Sequence, residues 1–131
     1  MQTLEEIRAY FRNDRFASSA GCEIDEVGEK TAKCSLVLTD LHRNALGGVM
    51  GGAIFTLADL AFAVASNWQN PGTVAISSQI AYLSAPKGGV LTAEAHCVKD
   101  GRSTCFYRIP VRDELGTAVA ELSVTGFHLG K

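Results

Sequence analysis

The sequence predicts an α+β domain in which a mainly antiparallel sheet carries one long helix on one of its faces. Three observations predict it. The stretch from Val49 to about Trp68, rich in alanine, leucine and phenylalanine, is too long for a strand and apolar on nearly every side. Four segments after it alternate apolar and polar residues, the period of a strand. The turns between most of those segments are tight, and tight turns join antiparallel neighbours.

The elements follow in order. Thr3 caps a first helix, with Glu6 three positions on in a capping-box pattern, and Leu4, Ile7, Tyr10 and Phe11 recur at helical spacing to about Asn13. A hairpin is expected next, with strands over 21–27 and 30–39 meeting at Gly28-Glu29. His42 to Gly48 follows neither period and reads as a loop. The long helix then runs from Val49 and stops before Asn70-Pro71-Gly72. Being apolar all round, it should be wrapped by other structure. Strands are expected over 73–84, 90–99, 102–112 and 117–128, with Pro110 marking an edge or a bulge.

Composition narrows the function. With 131 residues, 47% hydrophobic and 20% charged, the chain reads as a single domain over 1–131 with a core of its own. The formal charge is −2 and the basic residues are scattered, so no nucleic-acid partner is expected. The most apolar run, Ala53 to Ala65, spans 13 residues and contains Asp59. A bilayer span needs about 20, so no membrane partner is expected either. The start of the sequence has no basic leader with an apolar stretch behind it, which points to the cytoplasm.

Cysteines 22, 34, 97 and 105 have no metal-ligand spacing. An Asp100-Gly101 hairpin places Cys97 opposite Thr104 and turns Cys105 to the other face of the sheet. A turn at Gly28-Glu29 separates Cys22 from Cys34 in the same way. No local disulfide is expected, in keeping with a reducing compartment. His42, His96 and His128 are far apart in sequence, so neither a metal nor another cofactor is expected.

Two features could carry chemistry. Asp59 stands mid-helix among Phe55, Thr56, Leu57, Ala58, Leu60 and Phe62, where an ionised carboxylate is costly unless paired. It could be a structural acid bonded to a strand or an arginine. The alternative is a carboxylate kept dry to act as base or nucleophile. The second feature is the run from His42 to Gly52, which ends in Gly51-Gly52 at the start of the helix. There the backbone N–H groups and the helix dipole suit a phosphate or a developing oxyanion. Gly51 and Asp59 are eight residues apart, about 12 Å along a helix axis, so one carbonyl cannot meet both within one chain. A two-fold dimer removes the difficulty.

Asn44-x-x-Gly47, Gly51-Gly52, Thr56-Leu57-Ala58-Asp59 and Ala61-Phe62-Ala63 together resemble the PaaI-like, phenylacetate-pathway group of hotdog-fold acyl-CoA thioesterases. The resemblance covers nearly the whole chain. It implies a curved sheet wrapped around the long helix, a homodimer or a dimer of dimers, and hydrolysis of an acyl-CoA thioester to acid and CoA. On matching positions Asp59 would be the base or nucleophile, the Gly51 N–H would polarise the carbonyl, and Asn44 would help hold it. Met50, Gly52, Thr56 and Ser77 would contact substrate, with Thr73, Ser77 and Ser78 as hydroxyls able to orient water. One departure stands out, because Met50 occupies the place of a family histidine and replaces a polar contact with a flexible apolar one. The rival expectation is a protein that binds or senses acyl-CoA without turnover. A hotdog hydratase finds no acid/base Asp-His pair. Arg43, Lys87, Lys99 and Arg102 could reach CoA phosphates, though solvated surface charge is the simpler reading.

Overall fold

Helix, hairpin, long helix and four strands occur in the predicted order, with one addition. The computed structural model describes residues 3–130. Helix α1 (Leu4–Phe11) has the capping box, its Thr3 and Glu6 side chains each bonding the other's backbone N–H. A second short helix, α2 (Arg15–Ala20), follows and ends at Gly21 with φ +97°. The sequence reading passed over α2 because six residues give too short a run for a period to register.

Strands β1 (Glu23–Gly28) and β2 (Thr31–Val37) form the first hairpin. Gly28 pairs with Thr31, so the turn residues are Glu29 and Lys30, one position later than expected. Lys30 is the one non-glycine residue with positive φ (54°) among those described, and its ammonium lies 3.2 Å from the Asp100 carboxylate. A short 3-10 turn, Asp40–His42, leads through the glycine-rich loop into helix α3 (Gly51–Asn67). Strands β3 (Thr73–Tyr82), β4 (Val90–Asp100), β5 (Thr104–Asp113) and β6 (Ala118–His128) complete one antiparallel sheet in the order β1-β2-β4-β5-β6-β3.

Two register expectations are corrected. Cys97 pairs with Tyr107, not Thr104, because a bulge lies between Cys97 and Lys99 and because Gly101 to Ser103 form the turn. These changes shift the parity, and Cys97 faces the same side as the buried Cys105. None of the four cysteines forms a disulfide, as expected. Pro110 marks no edge but stands beside a bulge, since the β5–β6 register shifts between Val111 and Arg112. It lies in β5, between β4 and β6, where the β4 ladder skips from the Ala93–Val111 pair to His96–Arg108. A residue without an N–H fits such an interruption.

The sheet curls over α3, whose Leu57, Ala58, Ala61 and Val64 are fully buried against it. These positions recur at three- and four-residue steps and form one apolar stripe. The opposite stripe is not wrapped. Gly52 is exposed, and Phe55, Thr56, Asp59 and Ala63 are only half-buried. The Trp68 indole donates to the Gly28 carbonyl at 2.8 Å and ties the end of α3 to the first hairpin.

Candidate active site

Asp59 lies on the open stripe of α3. It borders a cleft with Asp14, Arg15, Phe16, Phe55 and Thr56. Among the described residues its carboxylate has neither a hydrogen-bond nor an ion-pair partner, so it is not an acid locked to a strand or an arginine. Burial raises its pKa above the ordinary 3.8, and the nearby charge of Asp14 raises it further. Both effects penalise the ionised form and strengthen it as a base.

Beside this cleft, and sharing Phe16, Phe55 and Thr56 with it, is an apolar one of about 500 Å³ walled also by Leu41, Met50 and Gly52. Met50 is 53% exposed, and its methyl end would lie 3.6 Å from a Cβ at Gly52. The Thr56 hydroxyl donates to the Gly52 carbonyl at 2.8 Å, which leaves its lone pairs toward the cleft.

Gly51 opens α3. Among the described residues its own N–H and that of Gly52 have no backbone acceptor, as befits the first turn of a helix. The Tyr82 hydroxyl donates to the Gly51 carbonyl at 2.9 Å, and a Cβ at Gly51 would approach that hydroxyl to 2.9 Å. Gly51 therefore lines a cleft with Gly48, Ile54, Tyr82 and Leu83, separate from that of Asp59. One chain does not bring the two together.

Asn44 braces the loop. Its Oδ1 accepts from the N–H groups of Leu46 and Gly48, each at 3.0 Å. Only its Nδ2 remains to donate outward. His42 is buried, with Nδ1 accepting from the Thr39 N–H at 3.0 Å and Nε2 set against the Ala20 carbonyl at 2.7 Å. It joins the loop to α2. Ser77 lies exposed on β3, next to a bulge, and borders no cleft with Asp59 in the same chain. Arg43, Lys87, Lys99 and Arg102 are exposed.

Asp14 and Tyr82 escaped the sequence reading. Asp14 comes to Asp59 through the turn between α1 and α2, and no spacing rule signals that approach. The Tyr82 hydroxyl fixes the first residue of α3 from β3, a contact that no sequence spacing signals.

Comparison with known proteins bears on the fold and the family. A family model described as the thioesterase superfamily matches residues 46–120, which include Gly51 and Asp59. A protein of Archaeoglobus fulgidus, provisionally named an esterase, is 36% identical over 99% of this chain and 86% of its own length. The acyl-coenzyme A thioesterase PaaI of Escherichia coli is 33% identical over 86% of this chain and 81% of its own. The solved structure of the E. coli PaaI protein superposes with a TM-score of 0.87 at 31% identity, covering 93% of this chain and 89% of that one. A Streptococcus pneumoniae thioesterase protein solved with coenzyme A reaches 0.84 at 27% identity, covering 92% and 98%.

Proposed function

Because this chain belongs to the thioesterase superfamily, as a PaaI-like hotdog-fold enzyme, we propose that it hydrolyses an acyl-CoA thioester at a site shared by two copies. One observation carries the reading. A carboxylate that has no partner among the described residues, its pKa raised, stands beside an apolar cleft, on a helix whose first N–H groups lack acceptors among those residues.

The chemistry follows from those groups. The acyl chain occupies the apolar cleft beside Met50 and Phe55. The thioester carbonyl accepts from the Gly51 N–H of one subunit, with the Asn44 amide as second donor. Asp59 of the partner subunit takes a proton from water, and the hydroxide attacks the carbonyl carbon. Negative charge develops on the oxygen at the N-terminal end of α3, where fixed donors need no reorganisation. The C–S bond then breaks, and the CoA thiolate leaves with the proton held by Asp59.

The open edge of the sheet supports a two-copy site. Strand β3 is an edge strand ten residues long, with Val74, Ile76 and Tyr82 between 42% and 59% exposed. A long apolar edge of this kind invites pairing with another strand. Antiparallel pairing of two β3 strands would continue the sheet and set the open stripes of two α3 helices against each other. Each Gly51 would then approach the partner's Asp59. No described helix is long and apolar enough to cross a membrane. We place the enzyme in the cytoplasm, where CoA esters would reach it.

Free-thiol release from a panel of acyl-CoA esters tests the proposal. The unmodified enzyme should turn over at least one ester, and Asp59→Asn should lower kcat about 10²- to 10⁴-fold, the usual contribution of a general base. Met50 favours one other reading, since an apolar side chain at the carbonyl suits holding an ester more than activating it. Tight binding of acyl-CoA without turnover of any ester would establish that reading instead.

A further inference from the structure

At the opposite end of α3 from the glycine-rich loop, the ends of three neighbouring strands bring together an acid, a thiol and an imidazole. Asp100 closes β4, Cys105 stands near the start of β5 and His128 ends β6. Asp100 pairs across the ladder with Cys105, and Cys105 pairs with Gly126, two residues before His128. Register therefore sends all three side chains to the same face. Their donor atoms lie within 4.8 Å of one another.

Gly126 makes the convergence possible. A Cβ there would stand 2.7 Å from the Cys105 Sγ and 3.1 Å from both Phe62 and the Thr73 methyl. A glycine in mid-strand gives up packing, and here that loss opens the space over which the donors meet.

We propose that Asp100, Cys105 and His128 form a binding site for a borderline-soft divalent cation, zinc foremost. Bonds of about 2.3 Å to sulfur and about 2.0–2.2 Å to nitrogen and oxygen set the ligands of a tetrahedral zinc roughly 3.3–3.8 Å apart. The thiol pairs, at most 4.8 Å apart, need to close by about 1.2 Å, and the 2.7 Å imidazole–carboxylate pair needs to open by about 0.6 Å. Thiolate with imidazole and carboxylate selects zinc over magnesium or calcium, which take oxygen ligands.

The surrounding bonds already have the form of an outer shell. His128 Nε2–H donates to the Asp100 carboxylate at 2.7 Å, and an ion that takes the Nε2 position leaves the imidazole proton on Nδ1, which donates it to the Thr73 hydroxyl 2.9 Å away. Such a bond fixes the tautomer that a metal requires. Lys30 holds the other carboxylate oxygen of Asp100, at 3.2 Å. On binding, the ion displaces the thiol proton and whatever proton His128 Nε2 carries, both of which pass to solvent. A cleft of about 70 Å³ bordered by Lys30, Ser66, Asn70 and Thr73 adjoins Asp100 and His128. At about 30 Å³ per water it has room for a solvent molecule as fourth ligand.

The histidine spacing in the sequence could not announce this site, because each donor comes from a different strand. Zinc titration of the full chain under reducing conditions, followed by cobalt substitution, tests it. One zinc per chain should bind, and bound cobalt should show a thiolate charge-transfer band with four-coordinate visible absorption. Cys105→Ser should abolish the band. Asp100→Asn should weaken zinc at least about 10-fold, and Thr73→Val about 10- to 100-fold through the outer shell. His96→Gln, on the exposed face, should change nothing. Circular dichroism of Asp100→Asn, a nearly isosteric change, separates lost ligation from lost folding. No saturable zinc, cobalt without the sulfur band, or equal affinity in Asp100→Asn and the unmodified chain would overturn the site.

Discussion

At the residue scale the account rests on Asp59, a carboxylate in a setting that penalises its charge. Its folded pKa lies above its unfolded one, so the group binds protons more tightly in the native state. The folded protein loses stability as pH rises from 3.8 through that raised value, and above it the penalty is complete. Asp59→Asn removes the charge. Thermal unfolding at pH 7 should show a midpoint equal to or above that of the unmodified chain, even though activity is lost. Asp14 supplies the second part of the shift, after burial. For Asp14→Asn the acid limb of the kcat/KM profile should therefore move to lower pH, with the plateau kept. An unmoved limb would mean that Asp14 does not reach the active carboxylate. The sequence displayed Asp59 because an acid inside an apolar helix contradicts its neighbours. Asp14 gave no such sign, since an acid in a surface turn contradicts nothing.

At the scale of elements, sequence pattern revealed α1, α3 and all six strands, and it failed where geometry depends on a single residue. The turn of the first hairpin falls on Glu29-Lys30 because Lys30 accepts a left-handed conformation, and lysine carries no turn signature. The bulge after Cys97 reverses a parity argument that was sound for an unbroken ladder. What stops α3 is also a side chain. Asn67 Oδ1 accepts from the N–H groups of Gly72 and Thr73, both at 2.8 Å, while its Nδ2 donates to the carbonyls of Ala63 and Thr73, both at 3.0 Å. It closes the helix and starts the next strand. Asn67→Ala leaves those half-buried groups without partners and should destabilise the chain by about 1–3 kcal/mol in denaturant titration. A change below about 0.5 kcal/mol would mean that water replaces the asparagine without loss.

For the whole molecule, the decisive property is incompleteness. The core of one chain is closed by its curved sheet, yet the second stripe of α3 and the edge of β3 remain open. Gly51 and Asp59 face different clefts. The sequence carried this much in the eight-residue spacing, which fixes an axial separation before any fold is known. It could not carry the exposure of the stripe, because a helix apolar on every side looks alike whether a sheet or a second copy covers it.

Subunit mixing tests the shared site most directly. Gly51→Pro removes the N–H at the first position of α3, where proline is accommodated, and the extended Met50 before it (φ −63°, ψ 131°) suits a following proline. Tyr82, half exposed, can swing away from the added ring. Alone, Asp59→Asn and Gly51→Pro should each be inactive. Mixed at random from unfolded chains, they should regain about a quarter of full activity, since half of the dimers are hybrids and each hybrid holds one intact site. Mixed dimers that form and stay as inactive as either parent would contradict a site built from two subunits.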